Sequence, residues 1–227
     1  FDLCGNVWEW VSGLRLHNGE IQVIPDNNSA RGVDESATSP LWRAMLQDGT
    51  LVAPGPAGTL KYDNSITGDA TQTNHDIGGA AELSTVRNNP MYTGGDVDDY
   101  YGYQYQTYES LAAKAGITVP EIAKVLGLFP TNPTAGGHDG DGLWVRNYGE
   151  RLPLRGGRWD NASRSGVFAL NLNESRANSN HNVGFRAALP SKPDIQGLRA
   201  WFQCRGDKGT YIRPILRDGK NRFHGSR

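Results

Sequence analysis

The chain has 227 residues, a formal net charge of −1, 29 Gly, 12 Pro, 6 Trp, 2 Cys and 37% hydrophobic residues. That length supports one domain with its own core, while two cysteines exclude a disulfide framework. No apolar run approaches the roughly 18 residues a bilayer span needs, and near-zero charge argues against a general nucleic-acid binder. The charge is uneven, however. Residues 190–227 hold nine Lys/Arg against three Asp/Glu, a net of +6, so residues 1–189 sum to −7. This predicts a domain over 1–189, expected to begin upstream of Phe1, followed by a basic extension over 190–227.

Gly, Asn, Asp and Ser recur throughout and helix-period apolar patterns are scarce, which predicts short strands joined by long loops. Strands are expected at residues 7–11, 20–24, 143–146, 166–172 and 183–189. Residues 26–106 read as loop, with 96–105 (DVDDYYGYQY) an acidic, aromatic stretch packed on its own side chains. Residues 107–128 predict two short helices meeting at a tight turn, the second opened by a Thr118/Glu121 capping box with Pro120 in its first turn. This spacing mimics a DNA-binding helix-turn-helix, but only Lys124 could face a groove, so a packed helical hairpin is the better reading. The extension reads as solvated, with a polyanion-binding arm as the alternative.

Three blocks then stand out: FDLCGNVWEW (1–10), LRGGRW (154–159) and NVGFRA (182–187). Read as residues, they are structural. Trp8 and Trp10 alternate and bring large apolar area, Gly156 and Gly157 permit close backbone approach beneath Trp159, and Arg186, after Gly184 and Phe185, suits pairing with a buried carboxylate such as Glu9. Together the blocks resemble the signature of the sulfatase-modifying-factor, or formylglycine-generating-enzyme, family. The resemblance implies a C-type-lectin-like α+β fold, loop-rich with a small twisted β-sheet, into which the helical hairpin would be an insert.

Oxidases of that family hold copper with a pair of cysteine thiolates downstream of the RGGxW block, as a soft metal requires. Residues 160–176 (DNASRSGVFALNLNESR) contain no Cys; Cys4 lies in the first block and Cys204 in the basic extension. The five histidines have no ligand spacing. The chain is therefore expected not to be an enzyme, a copper oxidase being the alternative. No cofactor is expected; HDGDG (138–142) reads as a glycine-rich turn, with structural calcium on Asp139 and Asp141 as the weaker reading because a calcium loop's remaining oxygen ligands are missing.

Residues 154–189 interleave scaffold-like positions, including Gly156, Gly157, Trp159, Phe168, Gly184 and Phe185, with Asn-rich polar ones. The segment resembles the variable region of target proteins of diversity-generating retroelements, in which adenines of a template repeat are mutated. An AAC codon altered at its adenines yields Asp, Ser, Arg, His, Tyr or Gly. Arg158, Asp160, Asn161, Ser163, Arg164, Asn171, Asn173, Asn178, Asn180 and His181 fit that set, and Glu174 does not. Asn and Ser offer adaptable hydrogen bonding while a rigid frame holds the backbone.

The expectation is a non-catalytic receptor- or ligand-binding protein, of a phage virion or a bacterial surface, whose partner is a protein or glycan on a cell surface. Display of this kind suits a homo-oligomer. Trp159 and Phe185 are expected in the core, with the ten variable residues exposed.

Overall fold

The computed structural model describes residues 4–69, 76–92 and 102–185. Strand β1 (Trp8–Trp10) is followed by β2 (Leu14–His17) and β3 (Glu20–Val23), then by β4 (Arg43–Met45) and β5 (Leu51–Val52). Next come β6 (Lys61–Asn64), β7 (Ala81–Ser84), β8 (Gln104–Thr107) and β9 (Ala112–Ala113), and one α-helix, α1 (Glu121–Val125). The chain closes with β10 (Gly142–Val145), β11 (Glu150–Arg151), β12 (Leu154–Arg155), β13 (Leu170–Leu172) and β14 (Val183–Phe185). This is a sheet-rich α+β fold.

The β2–β3 hairpin shows how local chemistry sets the register. Leu14 and Leu16 alternate with Arg15 and His17, and His17 pairs with Glu20 across a two-residue turn. That turn is Asn18-Gly19, with φ of 50° and 81°, the left-handed pair that matches strand twist. Any larger residue at 19 would also place its Cβ 2.7 Å from the Tyr62 carbonyl.

Two sheets form among the described residues. One runs β14-β1-β12-β13-β10-β8, and the other β11-β2-β3-β6-β7-β9, with β4 paired to β3 and β5 to β4. The main core draws Leu14, Leu16, Ile21, Val23, Tyr62 and Leu83 from the second sheet and Leu143, Val145, Leu170 and Leu172 from the first. Strand alternation sends Trp144, between Leu143 and Val145, to the first sheet's other face, where it packs with Trp8, Leu154 and Ala169. Trp8 meets Trp144 edge-on, with ring centroids 5.2 Å apart.

Polar groups inside the fold are tied together. Asp63, fully buried, accepts hydrogen bonds from the Asn88 and Asn89 amides and pairs with Lys114 at 2.7 Å. Glu150 on β11 takes Arg15 at 2.8 Å and Arg176 at 2.9 Å. The Arg15 guanidinium also lies 4.5 Å over the Trp42 ring.

Several expectations change. Strands occur close to three of the predicted positions, while the one expected at 166–172 shortens to Leu170–Leu172, because residues 162–169 form a 3-10 turn and loop. The strand expected over 183–189 is present as Val183–Phe185, and residues 186–189 lie outside the described residues. Residues 26–106 are not plain loop: they supply β4 to β8, and Gln104–Thr107 is strand where an acidic loop was expected, residues 96–101 of that stretch being outside the described ones. A single small sheet is replaced by two larger ones.

The helical hairpin is absent. Its first half is a 3-10 turn, Tyr108–Ser110, followed by β9, because Leu111 and Ala113 pack on the core while Ala112 pairs with Glu82 of β7. Only α1 is helical, its N-cap is Pro120, and no side chain caps it; the Thr118 amide instead donates to Gln47 Oε1. The basic extension, 190–227, lies outside the described residues.

Leu170 is fully buried between the sheets, so Leu170→Ala should cost about 3 kcal/mol in chemical denaturation. Acid should also weaken the fold through Glu150. Burial pushes this carboxyl up, but the hydrogen bonds from Arg176 and Arg15 together outweigh it and hold the carboxyl below its ordinary 4.5. A depressed folded-state value contributes stability above the unfolded value that is lost as pH falls through the folded one. Melting temperature should therefore drop below about pH 4.5, and Glu150→Gln should flatten that drop.

Candidate functional site

The segment after β12 is where side-chain exposure and backbone order part company. The Gly5 amide donates to the Gly156 carbonyl at 3.1 Å, and the Trp159 amide donates to the Asn6 carbonyl at 3.1 Å, tying the loop to the start of β1. Within the loop, Asn161 Oδ1 accepts from the Arg158 amide at 2.9 Å and Ser165 Oγ donates to the Arg158 carbonyl at 2.9 Å. Gly157 lies against Ser165, which a Cβ would approach to 2.4 Å. The main chain of 156–165 is thus held by its own hydrogen bonds and by Gly5 and Asn6, which lead into β1.

Its side chains point outward. Trp159 is 70% exposed, and Asp160, Ser163 and Arg164 are exposed. Arg158 pairs with Asp160 at 2.5 Å, both side chains being more than a third exposed. The Arg164 guanidinium stacks 4.5 Å over the Tyr105 ring of β8, at the edge of the tryptophan-lined face. Val167, at 60% exposure, continues the apolar surface.

The next part, 166–169, rests on Asp141. Its Oδ2 accepts from the Phe168 amide at 2.7 Å, and a Cβ at Gly166 would come within 1.9 Å of its Oδ1. Beneath lies an aromatic group: His138 meets Phe168 edge-on at 4.4 Å and Tyr108 at 5.1 Å, and Tyr108 stacks on Phe168 at 5.9 Å. Burial pushes the Asp141 carboxyl up, and its amide bonds to Phe168 and Ala169 only partly offset this. Asp139, by contrast, is an exposed turn residue with φ 58°. HDGDG is therefore a turn whose buried Asp141 anchors the neighbouring loop. Among the described residues no three His, Cys, Asp or Glu gather as metal ligands.

The second half of the segment divides. Asn180 and His181 are exposed at the approach to β14, where the Trp8 amide donates to the Asn182 carbonyl at 2.8 Å. Asn171 and Asn173 are not surface residues, at 6% and 4% exposure. Asn171 sits in β13 opposite both Trp144 and Leu154, and its Oδ1 accepts from the Asn173 amide at 2.7 Å, closing the strand end. Asn178 is half-buried and donates to Glu174. The antiparallel pairing of β12 with β13 sends the chain after Leu172 to the end of the sheet opposite the 156–169 loop, and the parallel pairing of β14 with β1 returns residues 180–182 to the loop's end. Of the ten expected face residues, Arg158, Asp160, Asn161, Ser163 and Arg164 lie together in one loop.

Of the expected scaffold residues, Trp8 is 5% exposed and Gly156 and Gly157 are buried; Trp10 packs on the tryptophan cluster and Gly184 is half-buried in β14. Trp159 and Phe185, at 70% and 83% exposure, are not core residues. Each is ordered through its backbone, by the Asn6 contact and by pairing with Trp10, which leaves the ring free. Phe168 is exposed, at 37%, yet in contact with two aromatic rings. Arg186 lies outside the described residues.

Two participants escaped the sequence reading: Tyr105, which carries Arg164, and Asp141 as loop anchor. The alternation in Tyr103-Gln104-Tyr105-Gln106 is a period-2 strand signal that would have placed Tyr105 on one face. Nothing local marks Asp141, because its partner is 27 positions away.

No protein-family model matches the chain, and no curated protein matches it. Among the described residues no helix is long and apolar enough to cross a membrane.

Asp141→Ala should speed amide hydrogen exchange at Phe168 and Ala169 while leaving β10 protected. Because its folded-state value is raised, the stability contributed by Asp141 declines as pH climbs from 3.8 through that value. Asp141→Asn should remove this decline in a pH series of melting temperatures. Trp159→Ala should cost less than about 1 kcal/mol, as surface substitutions do, and a loss near that of Leu170→Ala would place the ring inside the fold.

Proposed function

We propose that this chain is a non-catalytic ligand-binding protein that displays the 158–164 loop as a variable recognition surface on a C-type-lectin-like scaffold. One observation carries the reading: the loop's backbone is fixed by Gly5, Asn6, Asn161 and Ser165 while Arg158, Trp159, Asp160, Ser163 and Arg164 reach solvent. A surface whose side chains can change without moving the main chain is what diversification needs.

The chemistry suits a macromolecular partner. Trp and Arg are the residue types that concentrate contact energy at interfaces, and here an exposed Trp lies between arginines at 158 and 164. The Arg164 stack on Tyr105 limits that side chain's freedom before binding, which lowers the ordering cost. A protein or glycan on a cell surface fits this surface, with the chain on a phage particle or a bacterial exterior. The segment 160–176 has no cysteine, which supports a binding role over copper oxidation, since that chemistry needs a pair of thiolates there.

Two measurements test the proposal. The DNA beside the gene should hold a near-identical repeat of the 154–189 coding segment, differing at adenines, next to a reverse transcriptase gene. On a panel of bacterial surface proteins and glycans, the chain should bind a partner, and Trp159→Ala with Arg164→Ala should weaken that binding by about 100-fold with melting unchanged. Absence of such a repeat, together with copper-dependent oxygen consumption by the purified protein, would overturn the proposal.

A further inference from the structure

Away from the variable loop, a pocket of about 370 Å³ opens between the β2–β3 hairpin, the segment that follows it and α1. Its walls are mainly apolar: Leu14, Val23, Ile24, Leu51, Ile122 and Leu126 line it. Two of its lining apolar side chains are themselves exposed, Val11 at 39% and Leu126 at 42%. A concave apolar site with a few placed polar groups has the general form of a small-molecule site.

Among the polar residues of the wall, which include Ser12, Asp26, Asn27 and Ser29, Arg155 is the cation. Strand alternation turns it away from the face that Leu154 shares with the tryptophans, toward α1. Its Nη2 donates to the Leu126 and Gly127 carbonyls at 3.0 and 2.8 Å, and its Nη1 donates to the Phe168 carbonyl at 3.4 Å. A guanidinium has five N–H groups, and these three bonds to neutral carbonyls use three of them. Its partners are carbonyls and not a carboxylate, so the positive charge is held in place without being neutralised. Burial pushes its pKa down, as expected for a cation short of a counter-ion.

The lining also includes a turn. Asp26 and Asn27 are consecutive left-handed residues, with φ of 59° and 53°. Asp and Asn tolerate this conformation, and the pair makes a tight turn that brings both residues to the pocket.

We propose that this pocket binds a small amphiphilic monocarboxylate, its apolar body against Leu14, Val23, Leu51, Ile122 and Leu126 and its carboxylate on the remaining N–H groups of Arg155. The carboxylate supplies the charge that the three carbonyls do not, accepting a charge-assisted hydrogen bond from one of the N–H groups left on Nε and Nη1. The proposal does not rest on the reading placed on the 158–164 loop.

The test uses octanoate, octan-1-ol and octylamine as matched probes in calorimetric titrations of the whole chain. Octanoate should bind with one-to-one stoichiometry and about tenfold or more tighter than octan-1-ol, the gain expected from charge-assisted hydrogen bonds. Intermolecular nuclear Overhauser effects should connect its methylenes to the Ile122 and Leu126 methyls, which locates it without any substitution. Leu51→Trp should fill the pocket and abolish binding, with circular dichroism monitoring the fold. Arg155→Lys should lower affinity for octanoate and leave octan-1-ol unchanged. The proposal is overturned by absence of octanoate binding at millimolar concentration, by equal affinity for the alcohol, by preference for octylamine through Asp26, or by Overhauser contacts elsewhere.

Discussion

The central constraint is the parallel pairing of β10 with β13, which has both faces buried. Leu143, Val145, Leu170 and Leu172 are completely enclosed on the side toward the second sheet. Trp144 and Asn171, their alternating neighbours, are opposite one another on the other side. A strand pair buried on both faces cannot slip by one residue without exchanging leucine for tryptophan and asparagine. Everything attached to its ends, including the 156–169 loop and the turn that holds Asp141, inherits that register.

From this follows how a loop with little regular structure is nonetheless placed. Asp141 precedes β10 and Gly166 precedes β13, so the parallel pairing brings the two together at the same end of the sheet. The carboxylate then satisfies loop amides that no strand partner could reach, and its desolvation is the cost of doing so. A side-chain anchor leaves the surface residues of the loop uncommitted. The same economy acts at Ser165 and Asn161, which bond main chain rather than each other.

Much of this was legible in the residues. The strand at Trp8–Trp10, the hairpin's second strand and the burial of Trp8, Gly156 and Gly157 follow from alternation and glycine placement. The strands between residues 26 and 106 were not, because many are two to four residues long and their apolar positions are separated by polar ones that are themselves buried, such as Asp63 and Asn64. Asn18-Gly19 was a hairpin signal in plain view and would have revealed β2. Trp159 and Phe185 misled for a general reason: large aromatic residues are presumed internal, and only the backbone contacts of Asn6 and Trp10 show that these two are held from behind with the ring outside.

Asparagine content misled in the other direction, and its resolution sharpens the functional argument. Asn161, Asn171, Asn173 and Asn178 share one codon chemistry but not one environment. Asn161 uses its Oδ1 to brace the loop, and Asn171 uses its own to close β13 against Trp144 and Leu154. Exchanging Asn171 for Tyr or Arg would force a large group into a sheet face that is 6% exposed at that point. Adenine mutagenesis acting uniformly over 154–189 would therefore destroy many of its own products. A diversified surface on this fold requires the freely exchanged positions to coincide with the exposed ones, Asp160, Ser163, Arg164, Asn180 and His181, and requires the buried asparagines to be kept by selection on folding. The burial pattern, rather than the codon set, thus defines which part of the segment can carry recognition.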